Sequence, residues 1–216
     1  MTQPHDRIQQ GAIRIFCIGR NYMAHIQEQK SELLQTPPIF QKPPTSLVPT
    51  GGRVRFPEHG RELHHETEVV VRIAKVGRPE NGKAALGFID SLALGLDLTL
   101  RDVQRLQKQK GLPWEIAKSF DQSAPIGDFV AYNGSLNLKA IEFTCRVNGE
   151  LRQQGNTKDM LYPIESLILQ VSKIWQLVPG DLIYTGTPAG VGPLQIGDTI
   201  KVESPQLGSA EWSIIE

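Results

Sequence analysis

Residues 63–71, LHHETEVVV, constrain this chain more than any other stretch, because they set two carboxylates at the head of an uninterrupted apolar run. Side chains alternate along a strand, so a strand here sends Glu66 and Glu68 to the same face, about 7 Å apart. A bare E-x-E pattern also fits a solvated strand face. Val69, Val70 and Val71 argue against that, since such a run belongs to a strand covered on both sides. The two acids therefore enter a largely buried layer, where each needs a partner. A divalent cation turns their mutual repulsion into attraction, and an all-oxygen donor set favours Mg2+, Mn2+ or Ca2+ over zinc or copper.

A third acid is available downstream. The apolar run over residues 92–98 predicts a buried strand with Asp97 at its end, where an unpaired charge is costly. Asp97 is thus the natural third carboxylate for the cation of Glu66 and Glu68. Thr99 is expected to open a helix, with Asp102 at the spacing seen at helix starts and Gly111 as the stop.

Two other polar groups stand out. The segment 22–35, YMAHIQEQKSELLQ, predicts a helix on which His25 and Glu28, three apart, are neighbours. A carboxylate so placed orients and charges an imidazole, which is a general-base arrangement, although the spacing equally fits an exposed ion pair. Lys118 lies in WEIAKSF, an apolar context in which an ammonium is expensive unless an anionic substrate or a metal-ligand carboxylate pairs with it. A surface lysine with a buried stem is the other reading.

Around these groups the pattern is strand-rich. Residues 12–18 predict a first strand, residues 39–52 a proline-rich extended connection, and residues 83–88 a short helix. Asn148-Gly149 marks a hairpin, and Ile164, Leu167, Ile168 and Val171 give residues 164–175 an apolar helical face that belongs to the core. TGTPAGVGP at 185–193 lacks the lysine and following helix of a phosphate loop, yet its backbone can bind a carboxylate, with Thr187 helping. The expected class is α+β, β-rich, in one catalytic domain over residues 1–216 with a short tail at 1–12. Lys plus Arg and Asp plus Glu both number 23, so neither nucleic acid nor an anionic membrane is indicated as a partner. The opening MTQPHDRIQQ has no apolar core for a signal peptide, and Cys17 and Cys145 are too few for a disulfide framework. A cytoplasmic setting is the simplest expectation.

The phrases GRNYMAHIQE, FQKP, LHHETEVVV, GLDLTLRDVQ, GLPWEIAKSFDQSAPIG, VNGELRQQGNTKDM and GDLIYTGTPAGVGP together resemble the fumarylacetoacetate hydrolase family, in its acylpyruvate hydrolase and oxaloacetate decarboxylase branch. They run in family order over nearly the whole chain. The resemblance implies a mixed β-sheet roll with a few short helices, assembled as a homodimer, without the separate N-terminal domain of larger members. It implies Mg2+ or Mn2+ on Glu66, Glu68 and Asp97, and a water-activating dyad of His25 and Glu28 on a lid-like helix. Lys118 matches the family's active-site lysine, and Arg20, Gln104 and Thr187 match positions lining the substrate pocket. Arg101 is either a structural ion-pair partner or a ligand contact.

The chemistry this implies begins with a 2-oxo acid, whose carboxylate and adjacent carbonyl are hard donors able to chelate the cation. The neighbouring C–C bond can break because the departing pyruvate-like carbanion is stabilised as an enolate, with Lys118 adding positive charge. The expected function is metal-dependent hydrolysis of acylpyruvate-type β-diketo acids. Oxaloacetate decarboxylation and keto–enol isomerisation are the alternatives at the same site, and a metal-binding module without turnover is a further one.

Overall fold

The computed structural model describes residues 14–30 and 32–216. Its strands in chain order are β1 (Ile15–Ile18), β2 (Ile39–Lys42), β3 (Leu47–Pro49), β4 (Arg53–Arg55), β5 (Leu63–His65), β6 (Thr67–Ile73), β7 (Ile89–Leu96), β8 (Thr99–Leu100), β9 (Ala124–Ile126), β10 (Val130–Ala131), β11 (Glu142–Val147), β12 (Glu150–Asn156), β13 (Leu182–Tyr184), β14 (Gly192–Pro193), β15 (Thr199–Ser204) and β16 (Gly208–Ile215). The helices among the described residues are α1 (Met23–Glu28), α2 (Gly82–Leu86), α3 (Arg101–Lys110), α4 (Glu115–Lys118) and α5 (Ile164–Ile174). The tail at 1–12 and the first two residues of the expected first strand, Ala12 and Ile13, lie outside the described residues.

The main sheet is mixed and runs β2-β1-β13-β6-β7-β9-β3, with β10 also paired to β7. Its two edge strands are almost adjacent in sequence. β2 ends at Lys42 and β3 begins at Leu47, so the connection can span at most about 18 Å of extended chain. The sheet must therefore curl until its edges nearly meet, which gives the expected roll. Alternation then sorts its side chains into two cores. Val69, Val71 and Ile73 join Phe16, Leu92 and Leu94 in a large core that also takes in Leu167, Ile168 and Val171 of α5. Val70 turns the other way, into a smaller core inside the curl with Cys17, Ala93, Leu182 and Tyr184. Glu66 and Glu68 share the parity of Val70, so they stand at the end of the inner core, and Thr67 faces away from them. A second sheet, β12-β11-β15-β16-β4, and a small third one, β14-β5-β8, complete the strand pairing.

The expected elements are present with changes of extent: the connection expected at 39–52 carries the edge strands β2 and β3, and the helix expected at 83–88 spans Gly82–Leu86. The strand begun at Leu63 breaks at Glu66 into β5 and β6, which leaves that carboxylate at a kink rather than within a ladder. The strand expected at 92–98 spans Ile89–Leu96, and Asp97 follows its last residue. Thr99 does not open a helix: it pairs with His64 as part of β8, its hydroxyl donates to the Asp97 carbonyl, and α3 starts at Arg101. Asp102 instead accepts from the Arg61 and Glu62 backbone N–H groups at 2.9 and 3.3 Å. The helix expected at 22–35 spans only Met23–Glu28, and Lys30 turns into the left-handed region at φ 47°. Beyond Ile26 that segment offers few apolar residues to bury, with Leu33 exposed, and so short a helix is marginal unless packing extends it. Gly111 closes α3 in the left-handed conformation, and Asn148 and Gly149, both at positive φ, turn the β11–β12 hairpin.

Candidate active site

The antiparallel register of β6 and β7 builds the carboxylate cluster. Thr67 faces Leu96 and Glu68 faces Gly95, so the next position brings Asp97 beside Glu66, and the Asp97 N–H donates to the Glu66 carbonyl at 2.8 Å. One oxygen from each of Glu66, Glu68 and Asp97 lies within 4.8 Å of the others, and all three residues are buried. Gly95 must remain without a side chain, because a Cβ there meets Tyr184 at 2.8 Å and Val70 at 2.9 Å.

Three buried cations hold two of the three acids, Glu66 and Asp97. Lys118 Nζ, at the end of α4, donates to Glu66 Oε2 at 2.7 Å and Asp97 Oδ2 at 2.6 Å. Arg101 pairs with Glu66 Oε1 and donates to Gln104 Oε1 at 2.8 Å, so it is an ion-pair partner of the cluster. Lys42, at the end of β2, lies 2.8 Å from Asp97 Oδ1 and donates to the carbonyls of Leu98 and Lys118. The electrostatics follow from this packing. Burial opposes the charged form of Glu66, but Lys118 and Arg101 prevail and hold its carboxyl well below the usual range. Glu68 has no cation of its own among the described residues, and burial together with Asp97 pushes it well above. Burial works against the Lys118 ammonium, yet Asp97 and Glu66 outweigh it and raise its pKa, so Lys118 is a fixed charge rather than a base.

The donor set fits a hard divalent cation. Among the described residues, Asp97 Oδ1 has the Lys42 charge beside it but no hydrogen bond, and Glu68 receives only the Gly186 N–H, at 2.7 Å, on Oε2. Buried carboxylate oxygens short of donors and converging on one point are what Mg2+ or Mn2+ takes as ligands, completed by water or substrate oxygens.

Every expected site residue except Glu28 lines the same cavity, of about 40 Å³: Arg20, His25, Gln104, Lys118 and Thr187 join the three acids there. Glu28 stands behind His25, its Oε2 3.0 Å from His25 Nδ1. An ionised carboxylate only accepts, so Nδ1 carries a proton, and in the neutral imidazole Nε2 is then the basic nitrogen. The glycine-rich loop at 185–193 does bind carboxylates, and they are the protein's own. Gly186 N–H holds Glu68, and Gly190 N–H donates to Glu28 Oε1 at 2.8 Å. Both glycines sit at positive φ, and a Cβ on Gly190 would strike the Arg152 carbonyl at 2.1 Å. Arg20 adopts φ 58° and donates to the Glu32 carbonyl at 2.9 Å, a conformation that costs a non-glycine residue about 1–3 kcal/mol. Lys42 and Gln153 are parts of the site that sequence reasoning missed. Both fall inside phrases that carry the family resemblance, FQKP and VNGELRQQGNTKDM, but the phrases attach no role to either, since each meets its partners only through the curl of the sheets.

The curled mixed sheet carries a buried acidic cluster able to hold a metal ion, an arrangement that belongs to an enzyme fold. The chain belongs to the family of the fumarylacetoacetate (FAA) hydrolase C-terminal domain, whose model matches residues 14–215. It is similar to mitochondrial oxaloacetate tautomerase FAHD1 of Mus musculus, with 44% identity over 93% of this chain and 90% of that protein. The mitochondrial oxaloacetate decarboxylase of Dictyostelium discoideum is 39% identical over 87% of each chain. Among solved structures, fumarylpyruvate hydrolase from Pseudomonas aeruginosa, in complex with Mn2+ and pyruvate, superposes with a TM-score of 0.90 at 32% identity, over 94% of this chain and 90% of that one. No helix among the described residues is long and apolar enough to cross a membrane.

Proposed function

We propose that this protein is a divalent-metal-dependent enzyme of 2-oxo dicarboxylic acids, acting on oxaloacetate by tautomerisation and decarboxylation. The observation that carries this reading is the charge balance of the buried site. Lys42, Arg101 and Lys118 pair with Glu66 and Asp97, Glu68 is paired with no cation among the described residues, and Arg20 and Lys108 line the same cavity, so with a divalent ion bound the site carries an excess of positive charge. A dianionic 2-oxo acid answers that excess better than a monoanion does. The relatives that turn over oxaloacetate support the same choice.

Glu66, Glu68 and Asp97 would hold Mg2+ or Mn2+, which when bound supplies Lewis-acid polarisation of the 2-oxo carbonyl. Lys118 spends two of its three N–H donors on Glu66 and Asp97 and keeps the third for the substrate oxygen on which negative charge develops. His25 Nε2 takes the C3 proton and delivers it to the 2-oxo oxygen to give the enol, the reverse transfer restoring the keto form, while Glu28 holds Nδ1–H and steadies the imidazolium between the two transfers. Gly190 in turn fixes Glu28, so the base is oriented through two successive bonds. His25 and Ile26 of α1 line the cavity beside the three acids.

A second reading, C–C hydrolysis of acylpyruvates, is favoured by the same dyad. A base held ready above the acids can activate water for attack on the distal carbonyl, and a metal-binding module without turnover has no use for one. The homodimer and single-domain organisation implied by the resemblance belong to the proposal too, and light scattering of the purified chain tests the dimer. Cys17 and Cys145 are free and buried, as in a reducing compartment, but the mitochondrial relatives do not fit a plain cytoplasmic one. The deciding assay follows the enol absorbance of oxaloacetate and pyruvate release from oxaloacetate and a panel of acylpyruvates, with Mg2+ or Mn2+ and then with chelator. Turnover of oxaloacetate that chelation abolishes is expected. Metal-free protein as fast as loaded protein, or no turnover of any 2-oxo acid, refutes the reading.

A further inference from the structure

Gln153 lies on β12, in the second sheet, and is 1% exposed on a strand whose neighbouring residues Arg152 and Gln154 face solvent. Its amide reaches across to the site and is saturated there. Oε1 accepts from the Thr67 backbone N–H and from His65 Nδ1, both at 3.0 Å. Nε2 donates to Thr187 Oγ1 at 2.8 Å and to the Pro188 carbonyl at 2.9 Å. These partners leave the amide one orientation, because a backbone N–H can only donate and a backbone carbonyl can only accept. The same logic puts a proton on His65 Nδ1, which faces Gln153 Oε1.

The consequence falls on Thr187. Its oxygen is already an acceptor from Gln153, and its hydroxyl hydrogen has no hydrogen-bonded acceptor among the described residues. Thr187 is 4% exposed and lines the cavity with the three acids and Lys118. The hydrogen is therefore left to point at whatever anion occupies the cavity. The positions Gln153 grips reinforce this. Thr67 lies between the two glutamates, and Thr187-Pro188 lies between Gly186 and Gly190, the two residues whose N–H groups hold Glu68 and Glu28.

We propose that Gln153 is a positioning residue that sets the hydrogen-bond polarity of the site, compelling the Thr187 hydroxyl to donate to the carboxylate of the bound 2-oxo acid. This rests on the anionic substrate proposed above. Gln153→Glu is nearly isosteric but cannot donate, so the Thr187 hydroxyl turns back to the new carboxylate and is lost to the ligand. Thr187→Val removes the hydroxyl outright, and Thr187→Ser keeps it.

The test measures oxalate affinity of the Mn2+-loaded protein by calorimetry, KM and kcat for oxaloacetate, and Mn2+ affinity, for wild type, the three single variants and the Gln153→Glu/Thr187→Val double variant. A hydrogen bond to a charged group is worth roughly ten- to hundredfold in binding. Gln153→Glu and Thr187→Val are each expected to weaken oxalate by such a factor and to raise KM more than they lower kcat. Mn2+ affinity should stay near wild type, the double variant should be no worse than Thr187→Val, and Thr187→Ser should bind as wild type does. Losses that multiply in the double variant, or a Gln153→Glu defect confined to metal affinity, overturn the proposal and make Gln153 a strut. Should Gln153→Glu fail to fold, Gln153→Met, which releases Thr187 without competing for it, must still weaken oxalate, and unchanged binding there is equally fatal. Wild-type protein that neither binds oxalate nor turns over oxaloacetate would instead sink the proposed function.

Discussion

Lys42→Met isolates the contribution of the lysine that sequence reasoning overlooked. The side chain is fully buried, and its ammonium faces Asp97 Oδ1 at 2.8 Å and the carbonyls of Leu98 and Lys118. Methionine fills much of the same volume, so cavity formation contributes little and the electrostatic loss dominates. Removing one partner of a buried ion pair costs about 3–5 kcal/mol. Lys118 still holds Asp97 Oδ2, which softens the loss, but two buried carbonyls are left without the donor they had, which restores it to the upper part of that range. In a chain of this length each kcal/mol lowers Tm by about 2–4 °C, so the metal-free variant should melt roughly 8–20 °C below wild type. Mn2+ should recover part of the deficit, because a cation bound by Asp97 takes over the neutralisation that Lys42 supplied, and it stabilises the folded state by mass action. Chemical denaturation and thermal melting in chelator and in excess Mn2+ give the comparison. A metal-free loss below about 1 kcal/mol would show that the Lys42 contact carries no more than a surface pair, and the account of the charge balance would fall with it.

Two further predictions concern the chemistry. His25→Ala should cost acylpyruvate hydrolysis and oxaloacetate tautomerisation about 10²–10⁴-fold while sparing decarboxylation, which needs no base, when one purified variant is compared on all three reactions at saturating Mg2+. Equal loss of all three would make His25 a substrate-positioning residue. Lys108, whose ammonium lies 5.1 Å from the Trp114 ring centre at the edge of the cavity, is pulled down to about 8 by withdrawal from water and the charges of Arg101 and Arg20. It is a cation below that pH and neutral above it, so KM for a dianionic substrate should rise as pH climbs through about 8. Lys108→Met should start from the higher KM and lose that rise, and a wild-type KM that stays flat across the range would contradict the assignment.

What could be read from the chain beforehand depended on how local the cause was. Glu66 and Glu68 were legible because strand alternation is a property of neighbouring residues, and Asp97 because an acid closing an apolar run declares its need for a partner. The His25 and Glu28 contact is an i,i+3 pair and needs only one turn of helix, which is why it survives although that helix is far shorter than expected. The α3 start was misjudged for a complementary reason. Thr99 carries the right spacing for a cap, but pairing with β5 claims it first, a competition no local pattern reveals. Lys42 and Gln153 were illegible because their partners arrive from remote strands. The glycine loop was half legible, since its capacity for a carboxylate could be inferred and the identity of that carboxylate could not.

The curl that brings β2 and β3 together also dictates when the site can come into being. Glu68 depends on Gly186 and Glu28 on Gly190, while β1 pairs with β13 through Ile15 and Leu182, at opposite ends of the chain. Contacts of such long range form late and slowly in folding. A chain emerging from the ribosome therefore exposes its acids long before it can arrange them, and gains an ordered cation site only when nearly all of it has been made. Metal capture then coincides with the last closure of the fold, so a cation present during refolding should slow unfolding far more than it speeds folding.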